Sequence, residues 1–240
     1  MKTQHQGIDS EGEHYKKMKK VISALLGVFL LFGSFSGIAE EGIFWVERFQ
    51  GLKMVDGAPE GWNLHVKEGD PAISLEKSGD RTFLRLLSKN NSFGIKKNFE
   101  VDPKEYPFLN WKWKVTRLPE KGDFQKKETD DQAAQLYVAF PRFPAKLNTE
   151  FVCYYWESNP ANKGKEGTSV VWSKAKIIVL QAGKDRLNQW VTEKRNVYED
   201  YKRLFGKEPP AVGGLGFYIN SQHTHGEAES FLDEIYFSKK

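Results

Sequence analysis

One heptapeptide limits the architecture more than any other stretch. Leu109-Asn110-Trp111-Lys112-Trp113-Lys114-Val115 alternates apolar and polar residues without a break. Successive side chains of a strand point to opposite faces, so the two tryptophans share one face and the two lysines the other. The pattern is that of a half-buried antiparallel strand and predicts Trp111 and Trp113 in the core. Further β-type runs occupy 43–49, 62–66, 72–76, 82–87, 94–99, 133–140, 150–157, 175–181, 188–197, 215–220 and 230–237. Turn residues divide them, among them Asp56-Gly57, Ser78-Gly79-Asp80, Lys89-Asn90-Asn91, Asn159-Pro160 and Gly213-Gly214. Phe151–Trp156 and Ile177–Leu180 are apolar on both faces. Such strands sit centrally, or have a second face that is covered or used.

One helix is expected, over 197–205. Asn196 can cap it with Glu199 three residues on, Gly206 can take the left-handed position after it, and Pro209-Pro210 stops any continuation. Val197, Tyr201, Leu204 and Phe205 form its apolar stripe. About twelve strands and one short helix predict an all-β, antiparallel, jelly-roll-type β-sandwich. The stretch 121–131 is its most charged loop and 159–168 its most flexible-looking one.

The N-terminus reads as an address. Lys16-Lys17-Met18-Lys19-Lys20 precedes a strongly apolar run from Val21 to Gly33, and small residues lead to Ala39 before Glu40-Glu41. A basic segment, an apolar segment and a small-residue cleavage site make a signal peptide, with cleavage expected after Ala39. The apolar run falls short of the roughly 20 residues that span a bilayer, though retention as an anchor is the alternative. Either Met1 or Met18 can serve as the start. The expected organisation is an upstream segment plus signal peptide over 1–39 and a single sandwich domain over 40–240, periplasmic or secreted, with no membrane attachment once cleaved.

Charge and cysteine content narrow the function. The chain has 36 basic and 32 acidic residues, but the first 39 carry five lysines against three acids, so the remainder holds 31 against 29. That near balance argues against nucleic-acid binding by phosphate neutralisation. The single cysteine, Cys153, excludes an internal disulfide and, lacking a cationic neighbour in sequence, reads as a buried inert thiol. Gly213-Gly214-Leu215-Gly216 has the wrong spacing for a phosphate loop, and no Gly-x-Ser-x-Gly elbow is present.

From Glu47 to Phe237 the chain resembles the exported bacterial family known as domain of unknown function 3047. The residues that carry the likeness are Trp111-Lys112-Trp113-Lys114-Val115, the run from Asp130-Asp131 to Phe140, Tyr155-Trp156, Trp190, Asp200-Tyr201, Phe205-Gly206 and Leu232–Phe237. The resemblance implies export and a carbohydrate-module-like sandwich, and no defined activity. It also implies that the first and last strands are neighbours, where such modules commonly hold a structural calcium ion. Glu47 and Asp233 are then its candidate side-chain ligands, oxygen donors of the type that ion takes.

Three functions compete. The first is non-catalytic binding of an oligo- or polysaccharide, motivated by the 14% aromatic content. Flat rings stack on the apolar faces of sugars. The aromatic candidates are Tyr154, Tyr155, Trp156, Trp172, Trp190 and Tyr218; Tyr154 and Trp156, which share one face of a doubly apolar strand, are preferred, with Asp131 as a hydroxyl acceptor. The second is a glycan-active hydrolase or lyase, with Asp131 and Glu157 as its paired acids. The third is an envelope structural or interaction protein using an exposed sheet edge. His223-Thr224-His225 places two imidazoles two residues apart, a spacing open to metal binding but more ordinary in a polar loop. The first function is preferred, with no cofactor beyond the possible structural calcium.

Overall fold

The computed structural model describes residues 42–240. The expected signal peptide, the choice of start and the cleavage point after Ala39 lie outside them. Fifteen strands form among the described residues: β1 Ile43–Glu47, β2 Met54–Val55, β3 Ala58–Pro59, β4 Asn63–Glu68, β5 Ala72–Ser78, β6 Arg81–Lys89, β7 Ser92–Val101, β8 Phe108–Arg117, β9 Ala134–Phe140, β10 Glu150–Glu157, β11 Glu166–Thr168, β12 Ala175–Ala182, β13 Val191–Asn196, β14 Val212–Asn220 and β15 Glu227–Ser238. Two α-helices join them, α1 Ala145–Asn148 and α2 Val197–Phe205, with short 3-10 turns at Lys127–Thr129 and Pro160–Asn162.

The strands build a jelly-roll-type sandwich. The first sheet runs β13-β8-β15-β6-β5, with β1 also paired to β15. The second runs β11-β12-β10-β9-β14-β7-β4. Both are antiparallel apart from β10 and β12, which run parallel. The alternation in β8 holds: Leu109, Trp111, Trp113 and Val115 are buried, while Lys112 and Lys114 are partly exposed. Across the interior, Trp111 meets Tyr154 with ring centroids 5.2 Å apart, and Trp113 meets Trp156 at 5.7 Å. These four rings stitch the two sheets together.

Helix α2 occupies the expected residues. The Asn196 side chain accepts from the Glu199 N–H at 3.0 Å, and Gly206 takes the left-handed conformation. Tyr201 packs on Phe140 at 4.5 Å, and buried Tyr154 donates its hydroxyl to Asp200 at 2.8 Å. The small β2–β3 ribbon, α1 and β11 were not expected. Strand β11 falls in the stretch read as flexible; Glu166-Gly167-Thr168 lacks any apolar alternation and is held by backbone pairing to β12. Among the described residues no helix is long and apolar enough to cross a membrane.

Candidate functional site

The inner face of the second sheet faces the core, and its outer face is divided in two. Over β10 and β12, Cys153, Tyr155, Ile177 and Val179 form a small second core with Phe124. Phe124 comes from the charged loop before β9. Its N–H donates to Glu157 Oε2 at 3.1 Å, and Asp123 of the same loop accepts from Asn162 at 3.0 Å. Over β4, β7, β14 and β9 the outer face is open, and a groove of ≈ 540 Å³ lies there.

Registry explains the shape of that groove. His65, Gly94, Tyr218 and Gln135 stand opposite one another on β4, β7, β14 and β9. Gly216 lies two residues before Tyr218 on the same face. A Cβ added at Gly94 would meet Tyr218 Cδ1 and Cγ within 2.7 Å, and one at Gly216 would meet Cε2, Cζ and the hydroxyl within 3.0 Å. The ring of Tyr218 therefore fills the space above both glycines and lies down on the sheet. Glycine inside a strand marks such close approach. Tyr137 tilts against Tyr218 at 5.1 Å, and His65 meets it edge-on at 5.7 Å. Tyr137 also shares a hydroxyl–hydroxyl hydrogen bond of 2.8 Å with Tyr155, which ties the groove floor to the second core. Phe151 and Trp172 meet at a tilt, 4.7 Å apart, toward one end, where Trp172 and Val171 are 41% and 58% exposed.

Polar groups gather at the other end. Gln135 Nε2 donates to Gln132 Oε1 and Asn220 Oδ1, each at 2.6 Å, and Asn220 Nδ2 donates to the Asp130 carbonyl at 2.6 Å. Asp130 Oδ1 accepts from Gln132 at 3.1 Å, while no protein group among the described residues binds its Oδ2. Burial raises the Asp130 carboxyl above the usual range, against the lowering effect of Gln132, His223 and Lys67. Partial burial, with the Lys96 ammonium, holds His65 below the usual imidazole range. Asp130 is the one carboxylate among the groove-lining residues, which also include Lys67, Lys96 and Asn98. The arrangement offers a flat aromatic floor, two ammonium groups and a preset hydrogen-bond network to an elongated ligand.

Of the residues singled out in the sequence, Tyr218 and Trp172 line the groove, and the others fall elsewhere. Tyr154 and Trp156 are fully buried between the sheets, so neither ring faces solvent. Strand β10 is apolar on both faces as expected, but its even-numbered positions point to the main core. Asp131 is fully buried and accepts from the Thr224 N–H at 2.6 Å, the Thr224 hydroxyl at 2.7 Å and the His223 N–H at 3.2 Å. It anchors the turn before β15 rather than meeting a ligand. Glu157 is also fully buried, bound to the N–H groups of Phe124 and Ser158, so it makes no groove-facing pair with Asp131.

Glu47 accepts from the Trp62 indole and from Lys97, each at 2.9 Å, and from the N–H groups of Arg48 and Phe49. Asp233 pairs with Arg81 and accepts from the Glu234 N–H at 2.9 Å. Each carboxylate thus has its own partners, and both oxygens of each are taken, which does not fit a shared calcium ion. Among the described residues no group of three or more His, Cys, Asp or Glu side chains is placed to hold a metal. His223 turns to Asp130 and Asp131, while His225 turns to Asn90. The groove residues missed in the sequence carried one usable signal: Gly94, Gly214 and Gly216 interrupt strands that are otherwise β-prone.

Fold and site define a two-sheet β-sandwich with an aromatic-floored groove on the outside of one sheet. The chain belongs to the family described as Protein of unknown function (DUF3047), whose model matches residues 60–236. No curated protein matches it in sequence. Among solved structures it is similar to a cellulase derived from the Cel12A cellulase of Rhodothermus marinus, at 10% identity over 81% of this chain and 99% of that one, with a TM-score of 0.45. It is similar to the CBM22-1 xylan-binding domain of Paenibacillus barcinonensis Xyn10C, at 11% identity over 83% and 96%, with a TM-score of 0.37. It is also similar to the glycoside hydrolase domain of Endo-D from Streptococcus pneumoniae R6, at 8% identity over 75% of this chain and a TM-score of 0.37, but spans only 22% of that domain.

Proposed function

We propose that this protein binds an oligo- or polysaccharide without cleaving it, in the groove on the outer face of the second sheet. The observation that carries this reading is the ring of Tyr218, laid flat across Gly94 and Gly216 on the groove floor. A flat ring flanked by convergent polar groups is the surface that a sugar ring covers. Hydrolysis by paired carboxylates needs two acids about the scissile bond. Asp130 is the one carboxylate among the residues lining this groove, which favours binding over catalysis. The test is affinity electrophoresis against a panel of soluble polysaccharides. Tyr218→Ala should weaken binding about tenfold or more while leaving the thermal midpoint nearly unchanged. Retention that is identical in the two proteins would sink the reading.

The reading places the protein outside the cytoplasm, supported by the segment from Lys16 to Ala39. Cell fractionation with N-terminal sequencing of the mature chain, expected to begin at Glu40, tests that part.

A further inference from the structure

We infer that the groove takes an acidic oligosaccharide, with Lys67 and Lys96 meeting its anionic groups on either side of Tyr218; this rests on the glycan-binding reading above. Both lysines are exposed and line the groove. Among the described residues neither has an ion-pair or hydrogen-bond partner, whereas neighbouring Lys97, on the other face of β7, is bound to Glu47 at 2.9 Å. An ammonium left free at a ligand groove is available for charge-assisted hydrogen bonds, which are among the stronger polar contacts.

Their placement is specific. Lys96 stands two residues beyond Gly94 on β7, opposite Asn63. Lys67 stands two residues beyond His65 on β4, in the opposite direction, at the bulge where the register shifts. The row holding Tyr218 therefore lies between them. Asn63 and Lys67 are four residues apart, about 13 Å at roughly 3.3 Å per residue. That separation suits charges spaced along an extended chain rather than one compact anion.

The surrounding charges agree. Asp130 is the only carboxylate among the lining residues, one acid against two ammonium groups, and burial raises its carboxyl above the usual range. His65 is held toward the neutral form. The remaining polar lining groups, such as Asn98, Gln135 and Asn220, are uncharged donors and acceptors for hydroxyls.

The experiment is titration calorimetry of the intact protein with galacturonate and alginate oligosaccharides, their carboxyl-reduced neutral counterparts, and sulfated carrageenan oligosaccharides. At least one acidic series should bind, more weakly as salt rises. The carboxylate and sulfate arms tell which anionic group is taken. Lys67→Gln and Lys96→Gln should each weaken acidic binding roughly tenfold, and weaken binding of the carboxyl-reduced sugars by a clearly smaller factor. Tyr218→Ala should weaken both. Equal, salt-insensitive affinity for charged and reduced sugars, untouched by the lysine variants, would overturn this inference and leave the glycan-binding reading standing. Binding of none of these sugars, or acidic binding indifferent to Tyr218→Ala, would overturn both.

Discussion

Tyr218 depends on what its neighbours lack. At Gly216 an added methyl meets only the far edge of the tyrosine ring, so the ring can lift away. At Gly94 the same methyl also meets the carbonyl oxygen of Phe217 on the adjacent strand, which cannot move without breaking sheet pairing. Gly216→Ala should therefore tilt Tyr218 and weaken glycan binding with a stability change under about 1 kcal/mol. Gly94→Ala should cost about 2 kcal/mol or more through displaced backbone. Urea unfolding beside a binding titration separates the two, and equal stability losses would contradict the ring's placement. Asp131 teaches the reverse lesson. In sequence, an acid before a strand resembles a ligand contact; in the fold its two oxygens are taken up by Thr224 and His223. The difference lies in 92 residues of chain separation, across which local sequence carries no information.

Among the elements, the loop that covers β10 is held by an unusual group. Glu157 ends β10 and receives the Phe124 N–H, and burial pushes its carboxyl up to about 7. The nearby Asp123 and Asp130 charges push in the same direction, against the two N–H groups that stabilise the anion. Between pH 4.5 and 7 the folded chain keeps a proton that the unfolded chain has released. Stability from this group is therefore present at low pH, falls as pH rises through that window and levels off above it. The full span is worth about 3 kcal/mol. Glu157→Gln, which cannot ionise, should gain stability relative to the wild type by up to that amount between pH 5 and pH 8. Urea midpoints of the two proteins across that range give the comparison; a difference that stays constant with pH would refute it. Element types were largely legible: β8 announced itself by alternation and α2 by its cap and terminal glycine. Strand β11 did not, because three residues held by backbone pairing leave no side-chain pattern to read.

At the level of the whole molecule, the second sheet turns one parity of its residues to the main core and the other outward, to the second core over β10 and β12 and to the groove over β4, β7, β14 and β9. Phe151–Trp156 advertised two apolar faces, and both are used, one in the main core and one in the second core beside the groove. Which face met which was not legible, because parity gains meaning only once the other sheet is in place. That placement depends on pairings such as Trp113 with Trp156, more than 40 positions apart. The aromatic residues therefore sort by location rather than by type. Trp156→Ala removes a fully buried ring that bridges the sheets and should cost about 3–5 kcal/mol. Trp172→Ala removes a ring that is 41% exposed at the groove end and should change stability by less than about 1 kcal/mol while weakening glycan binding several-fold. Differential scanning calorimetry paired with affinity electrophoresis distinguishes the two. If Trp156→Ala kept its thermal midpoint and lost binding, the division of labour between the faces would be reversed. If Trp172→Ala bound unchanged, the groove's sugar contacts would be confined to the Tyr218 end.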